Sequence, residues 1–195
     1  ADPTAAHLLR QLLARQAVFY RQLSQYDYAS GLIEEGLALS GLPSDEDQAF
    51  LLYQKAWVAF LQAQYAQAQM WTEASLEIYQ AMEHAMGIGD CLYMLGWTAY
   101  ELGDFAQAEA LCREAQAVCE QAGYTWGVQY AIYGLGLVQR ARGDYAAAWQ
   151  SFLRNLTFCE EIGYPWGIAQ ARINLGLVAL TQDDAQTAAD CFQKS

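Results

Sequence analysis

Basic residues are scarce in this chain, and the scarcity limits the partners that it can bind. There are 10 Lys and Arg against 22 Asp and Glu, a formal net charge of −12, and no Lys or Arg occurs between Lys55 and Arg113. Direct binding to nucleic acid needs clustered basic residues that neutralise phosphates, so we expect no direct nucleic-acid partner. The acidic excess fits either a solvated polar face or attraction to a cationic peptide or protein surface.

Long apolar runs are missing as well. A membrane-spanning helix needs about 20 mostly apolar residues, and the sequence has no run of this kind. The first residues do not show the basic flank and apolar core of a secretory signal peptide. We therefore expect no membrane partner.

Motifs for catalysis or metal binding are also absent. The phosphate-binding pattern G-x-x-x-x-G-K-[ST] does not occur, and His7 and His84 have no ligand partners at metal-binding spacing. The five cysteines form no CxxC pair, so we expect them to be buried as small apolar side chains. An odd number of free thiols is typical of a reducing, cytoplasmic setting. The sequence predicts a protein that is not an enzyme and that needs neither a cofactor nor a metal.

What the sequence does contain is a repeat with a period of 40 residues. Gly87-Ile88 recurs as Gly127-Val128, Leu95-Gly96 as Leu135-Gly136, and Gly103-Asp104-Phe105-Ala106 as Gly143-Asp144-Tyr145-Ala146. Self-similarity at a period of this size indicates a solenoid of stacked units. Glycine or Asp at the tight turns and small residues at the crossing points predict that each unit is a helical hairpin, and no strand-like alternation competes with this interpretation.

The predicted fold class is therefore all-α, with about five hairpins and ten helices. The expected hairpins cover residues 4–40, 45–84, 87–122, 127–162 and 167–195 of a single domain. A chain break is expected at Gly41-Leu42-Pro43-Ser44, between the first two hairpins, with Ser44 as a candidate N-cap.

The spacing of apolar and small residues resembles the tetratricopeptide repeat. With Gly96 at the eighth motif position, Leu92 falls at the fourth, Leu95 at the seventh, Ala108 at the twentieth and Ala115 at the twenty-seventh. Later units place Ile132, Leu135, Gly136, Ala148 and Phe152, and then Leu175, Gly176 and Ala188, in the same way. The usual period is 34 residues, so a period of 40 implies longer helices. The resemblance implies a right-handed superhelix.

A narrower resemblance is carried by residues 161–169, Glu-Ile-Gly-Tyr-Pro-Trp-Gly-Ile-Ala, and residues 174–179, Asn-Leu-Gly-Leu-Val-Ala. Both are similar to the repeat arms of bacterial signal-transducing ATPases with numerous domains (STAND). That group includes the large LuxR-type and maltose-regulator-like transcription activators. The resemblance implies a sensor, in which an inducer or partner binds and relieves autoinhibition of a nucleotide-binding domain.

In such repeats the first helix of each hairpin lines a concave surface through motif positions two, five, nine and twelve. Spacing of three and four residues places each set on one helical stripe. The candidate ligand-binding residues at these positions, which we call the aromatic trough, are Phe50, Tyr53, Trp57, Phe60, Asp90, Tyr93, Trp97, Tyr100, Tyr130, Tyr133 and Arg140.

This stripe has two interpretations. Its aromatic side chains could form the core between repeats, or they could face a groove, because other motif positions already supply a core and large exposed apolar patches mark interaction sites. The expected occupant of a groove is a peptide, a protein segment or a small apolar inducer. Stacking of the units also predicts that Tyr53, Tyr93 and Tyr133 lie side by side, and that Trp126 and Trp166 are plugs that fix the angle between hairpins.

The leading hypothesis is a ligand-sensing or protein-interaction module of a bacterial signal-transducing ATPase or transcription regulator. One alternative is a scaffold that binds partner proteins without an inducer. Another is the regulatory arm of an enzyme whose catalytic domain lies outside this segment. A third is an acidic structural segment that self-associates.

Self-association follows from the expected lack of a polar cap at the last unit, since each solenoid unit buries its face on the next. We interpret the chain as a segment of a longer protein and expect oligomers that grow with protein concentration in light scattering. A strictly monomeric protein at high concentration would contradict this prediction.

Overall fold

The computed structural model describes residues 3–39 and 46–194, which form ten helices and no strand. The helices are α1 (Pro3–Gln22), α2 (Tyr26–Leu37), α3 (Glu46–Leu61), α4 (Tyr65–Ala81), α5 (Ala85–Glu101), α6 (Phe105–Gln121), α7 (Thr125–Ala141), α8 (Tyr145–Glu161), α9 (Pro165–Thr181) and α10 (Ala185–Gln193). They pack as successive hairpins in a superhelix, so the all-α prediction is confirmed. The expected break at Gly41-Leu42-Pro43-Ser44 and its N-cap lie outside the described residues. No described helix is long and apolar enough to cross a membrane.

The turns between helices divide the 40-residue period into two equal halves. Each helix from α4 to α9 has 17 residues, and a residue with positive φ follows each of them at a constant spacing. These residues are Glu83 (53°), Gly103 (83°), Gly123 (65°), Gly143 (80°), Gly163 (65°) and Asp183 (58°), and Ala63 (58°) follows α3 in the same way. At Gly103 the backbone N–H of Asp104 donates to the Ala99 carbonyl at 2.9 Å, which closes the helix end as in a Schellman motif.

The residue after each positive-φ position decides how the next helix begins. Asp104, Asp144 and Asp184 accept hydrogen bonds from the backbone N–H groups of Gln107, Ala147 and Thr187, respectively, at 3.0–3.2 Å. These aspartates therefore cap the second helix of their hairpins. The turns between hairpins use aromatic residues instead: His84 Nδ1 caps α5 at 3.0 Å, whereas Tyr124 and Tyr164 make no side-chain cap.

Small residues let the helices pack closely. Cys119 of α6 lies between Gly89 of α5 and Gly127 of α7, where an added Cβ would fall 2.3 and 2.4 Å from the sulfur. The next repeat uses the same contact, since a Cβ at Gly167 would lie 2.5 Å from the Cys159 sulfur. The prediction that the cysteines are buried small apolar residues is confirmed for all but Cys191, which is half buried.

The core runs along the stack instead of surrounding one centre. The largest buried cluster extends from α3 to α7, and further clusters join α1 with α2 and α3, and α8 with α9. Apolar side chains stay exposed on α1 and on the α9–α10 hairpin, including Leu8, Leu12, Phe19, Ile173, Leu180 and Phe192. Self-association through these faces stays a prediction.

We expect glycine at position 83 to stabilise the protein. Glu83 is exposed and holds a left-handed backbone (φ 53°) that costs a side-chain-bearing residue about 1–2 kcal/mol. Part of this gain is offset because glycine makes the unfolded chain more flexible. Glu83→Gly should therefore raise the free energy of unfolding by about 0.5–1 kcal/mol, measured by urea denaturation.

Glu77 is the matched control, because it is an exposed glutamate within helix α4. There the same substitution should lower the free energy of unfolding by about 1 kcal/mol. Equal effects at the two positions would mean that the turn backbone does not determine the outcome.

Candidate functional site

A cavity of about 430 Å³ lies between the end of α1 and the first helices of the later hairpins. We call it the tyrosine cavity. Its walls are Arg21, Gln22, Ser24, Tyr26, Tyr53, Gln54, Trp57, Leu61, Tyr93, Tyr130, Tyr164 and Trp166. Four residues of the aromatic trough, Tyr53, Trp57, Tyr93 and Tyr130, line this space. The lining therefore combines side chains from α1, α2, α3, α5, α7 and α9, with Ser24 and Tyr164 from the turns.

The aromatic trough is partly core and partly surface. Tyr53, Tyr93 and Trp97 are only 4–6% exposed and belong to the largest buried cluster. Trp57, Phe60, Tyr130 and Tyr133 are half buried and pack against that cluster. Both interpretations of the stripe, core and groove, therefore apply to Tyr53 and Tyr93, because these core residues also line the tyrosine cavity.

Seven of the eleven predicted residues do not line the cavity, namely Phe50, Phe60, Asp90, Trp97, Tyr100, Tyr133 and Arg140. Phe50 packs against the cluster that joins α1, α2 and α3. Tyr100 contacts Phe105 with a ring-centroid distance of 5.7 Å. Arg140 lies in the last turn of α7.

Contacts between rings and hydroxyls connect the trough across repeats. The hydroxyl groups of Tyr53 and Tyr93 are 2.5 Å apart and form a buried hydrogen bond. Tyr130 stacks on Tyr93 with ring centroids 5.0 Å apart. The predicted ladder of Tyr53, Tyr93 and Tyr133 was wrong in its third residue. The Tyr133 ring contacts the Trp97 ring instead, with a centroid distance of 5.4 Å. The offset between the stacked helices places motif position two of α7, instead of position five, over Tyr93.

Arg21, in the last turn of α1, was not predicted as a site residue. Its guanidinium lies over the Trp57 ring, 5.1 Å from the centroid, and its Nε–H donates to Gln54 Oε1 at 3.1 Å. Burial lowers the pKa of Arg21, and nearby tyrosines, Tyr53 first among them, partly oppose this shift. No signal in the repeat pattern could have identified it, because α1 carries the motif only weakly.

Trp126 and Trp166 were predicted as plugs between hairpins, and this prediction was wrong. Their side chains are 41% and 51% exposed. Both line a narrow crevice between α7, α8 and α9 with a volume of about 20 Å³, which is room for about one water molecule. Trp126 contacts Tyr164 edge-on at 5.3 Å. Trp166 also borders the tyrosine cavity, so the two spaces adjoin.

Asp90, the acidic residue of the aromatic trough, is poorly solvated. Burial raises the pKa of its carboxyl group to about 7, although hydrogen bonds from Tyr124 and Tyr93 partly oppose the shift. Its Oδ1 atom is buried and has no hydrogen-bond partner. The titratable groups that respond to its charge are Tyr53, Tyr79, Cys91, Tyr93, Cys119 and Tyr124, and none of them is a cation.

The chemistry of the site suits binding. Burial raises the pKa of the Cys91 and Cys112 thiols to about 12, so they stay protonated and weakly nucleophilic near neutral pH. Within residues 3–39 and 46–194, no group of three His, Cys, Asp or Glu side chains could hold a metal ion. What the tyrosine cavity offers is stacking area, phenol hydroxyls and one guanidinium.

We expect Asp90 to make stability depend on pH. Its folded pKa of about 7 exceeds the ordinary value of 3.8, so its stabilising contribution is complete below pH 3.8 and is lost as the pH rises to about 7. Asp90→Asn removes the ionisation, and it should therefore raise the free energy of unfolding at pH 8 by about 2–4 kcal/mol relative to its effect at pH 4. Urea denaturation across this pH range measures the difference.

The control is Asp190→Asn, because Asp190 is exposed on α10. Its effect on the free energy of unfolding should change little between pH 4 and 8. A parallel pH dependence of wild type and Asp90→Asn would mean that the Asp90 carboxyl is well solvated.

Comparison with known sequences supports the repeat assignment. A family model described as "Tetratricopeptide repeat" matches residues 89–114 and 169–194. The two segments begin at equivalent places relative to Gly96 and Gly176, as the predicted motif register requires. No curated protein matches the chain significantly.

Three solved structures illustrate the similarity in fold. BtubC (BKLC) from P. vanneervenii is 19% identical with a TM-score of 0.77, over 99% of this chain and 80% of that one. A Rap protein complexed with competence and sporulation factor is 17% identical with a TM-score of 0.85, over 96% and 53%. The Rap conjugation gene regulator of plasmid pLS20, in complex with the Phr* peptide, is 19% identical with a TM-score of 0.76, over 91% and 50%.

The chain thus spans about half the length of the two Rap proteins. At these identities the likeness concerns the fold. Together with the repeat match, it supports a tetratricopeptide-repeat domain built as a superhelix of helical hairpins.

Proposed function

We propose that this chain is a non-enzymatic interaction module that binds a peptide or an extended protein segment in the tyrosine cavity. The observation that carries the proposal is the composition of the cavity wall, which draws aromatic side chains from several hairpins into one space. A segment lying there would contact several repeats at once. Tyr and Trp suit such a surface, because they combine a large apolar area with a hydrogen-bonding group.

Two further observations support a peptide as the ligand. The cavity volume of about 430 Å³ lies in the range of ligand pockets, so it could hold one or two side chains of a longer segment. In addition, one protein of similar fold, the Rap regulator of pLS20, was solved with a Phr* peptide. A small apolar inducer of comparable volume is the second candidate.

We further propose that binding in the tyrosine cavity is the sensing step of a larger regulatory protein in the bacterial cytoplasm. The support is the resemblance of residues 161–169 and 174–179 to the repeat arms of signal-transducing ATPases and transcription regulators. A scaffold without an inducer, and a regulatory arm of an enzyme, remain the alternatives. Adding the ligand to the full-length protein separates them: a sensor changes the nucleotide turnover of an attached ATPase, whereas a scaffold does not.

Selection from a library of displayed random peptides tests the binding function. Selected peptides should bind the wild type, and Trp166→Ala should weaken binding about tenfold or more, because truncating a central aromatic contact typically costs 1–2 kcal/mol or more. Trp166 suits the test because it borders the cavity and is half exposed, so its loss should not disturb the core. Fluorescence anisotropy of a labelled peptide gives the affinities.

Trp71→Ala is the matched control. Trp71 lies on α4, outside the residues that line the tyrosine cavity, beneath the ammonium group of Lys55. Binding that survives Trp166→Ala but fails in Trp71→Ala would place the ligand on another surface. Failure to select any peptide would argue against peptide binding altogether.

A further inference from the structure

Arg21 is a half-buried cation that has no acidic partner among the described residues, although several basic residues of the chain do have one. Arg113 and Arg142 both pair with Glu109, Arg172 pairs with Glu160, and other basic residues form ion pairs too. Arg21 contacts a neutral amide and an indole ring instead. Within residues 3–39 and 46–194, no Asp or Glu forms an ion pair with it.

This arrangement is costly for a buried charge. Taking a guanidinium out of water is unfavourable unless it is paired or fully hydrogen-bonded. Arg21 is half buried, and burial is the main influence on its pKa. Of its five N–H donors, the Nε–H is engaged by Gln54, and in the described part of the chain no acceptor takes a hydrogen bond from the two terminal nitrogens. The side chain therefore keeps unused capacity for an anion.

The surroundings of Arg21 would support an anion. The phenol groups of Tyr53, Tyr93, Tyr130 and Tyr164 are all close enough to interact with its charge. The Tyr53 and Tyr93 hydroxyls are already hydrogen-bonded to each other. Since each hydroxyl has one O–H to donate, a donor to the carboxylate would come from Tyr130 or Tyr164. The Trp57 ring holds one face of the guanidinium, and a planar guanidinium that is fixed in this way can bind a carboxylate through two parallel hydrogen bonds.

We propose that Arg21 is a binding residue that holds the carboxylate of the molecule occupying the tyrosine cavity, while the apolar part of that molecule packs on Tyr130 and Trp166. The inference rests on the proposed function, because it assumes that the tyrosine cavity is the binding site. Two sources supply the same chemistry: the free C-terminus of a peptide and a small organic acid. In a chain with a net charge of −12, one local cation also fixes which end of an anionic ligand enters beside α1.

A titration with a fragment tests Arg21 without any selected peptide. The probe is N-acetylphenylalanine, which carries a carboxylate and an aromatic ring, and its matched control is N-acetylphenylalanine amide. In the ¹⁵N-labelled protein, the Nε–H resonance of Arg21 should shift in proportion to bound acid, and the amide should leave it in place. Equal responses to acid and amide, or no response to either, would overturn the proposal.

Variants separate anion binding from a purely structural role. Arg21→Gln should lower the affinity for the acid about tenfold or more, because it removes a charge-assisted pair of hydrogen bonds. Arg21→Lys should recover part of the affinity, and Arg15→Gln, on the exposed face of α1, should change it little. If Arg21 only holds α1 against Gln54 and Trp57, these variants would change the melting temperature but not the ratio of acid to amide affinity. If Arg21→Gln fails to fold, the comparison of acid and amide in the wild type still shows whether Arg21 binds the carboxylate.

Selected peptides, synthesised with free and amidated C-termini, then identify the source of the carboxylate. A preference for the free terminus that disappears in Arg21→Gln assigns the peptide C-terminus. Tight fragment binding without any peptide binder would support Arg21 and a small organic acid, while contradicting the proposed peptide function. Peptides that bind equally well in both forms, with the same affinity for Arg21→Gln, would support the function and reject the role of Arg21.

Discussion

Close approach of the helices at glycine and cysteine positions is the constraint on which the rest of this structure depends. Cys119 fills the space between Gly89 and Gly127 so closely that a methyl group on either glycine would overlap its sulfur. Such contacts fix the separation of helices in neighbouring hairpins. Large side chains therefore occupy a different face of the first helix of each hairpin, the face that carries the aromatic trough. There Tyr93 and Trp97 pack ring against ring.

Two ionisable residues, Arg21 and Asp90, influence the hydrogen-bonded pair Tyr53 and Tyr93. Asp90 acts on Tyr53 and Tyr93 by raising their pKa values, and Arg21 interacts with the same two phenols. Within residues 3–39 and 46–194, neither the Arg21 nor the Asp90 side chain forms an ion pair. A molecule that enters the tyrosine cavity meets the guanidinium of Arg21 at the end of α1, whereas Asp90 does not line this space. Such a charge would set the orientation of a ligand as well as contribute to its affinity.

The repeat pattern predicted the architecture well because its signals are local. Gly103-Asp104 and Gly143-Asp144 combine a left-handed turn residue with a helix cap, so two adjacent residues of the sequence are enough to predict the turn and the start of the next helix. Ala63 and Glu83 adopt the same turn backbone without glycine, so these two turns depend on the packing of the flanking helices. The alignment of the chain with the tetratricopeptide motif could also be predicted, since Gly96 and Gly176 both lie at the same place within the segments that the family model matches.

The site was predicted only in part, for a geometric reason. The repeat pattern identified four lining residues because each lies on the predicted inner stripe of its own helix. These residues are Tyr53, Trp57, Tyr93 and Tyr130. Arg21 and Trp166 lie far apart in the chain, and they share a cavity because the superhelix curves. Curvature accumulates from many small rotations between hairpins, and no short pattern of residues encodes it. Asp90 was predicted as a trough residue, but its missing hydrogen bond depends on the surrounding side chains.

The equal spacing of the turns makes the chain modular. Since Cys119 meets Gly127 as Cys159 meets Gly167, a forty-residue cassette can be duplicated or removed while the contacts at each new junction keep the same form. Groove length and local chemistry can then evolve separately: whole cassettes lengthen the surface, and single substitutions on the inner stripe change what it recognises. A cassette inserted between Arg21 and Tyr164 would separate the walls of the tyrosine cavity without altering either wall.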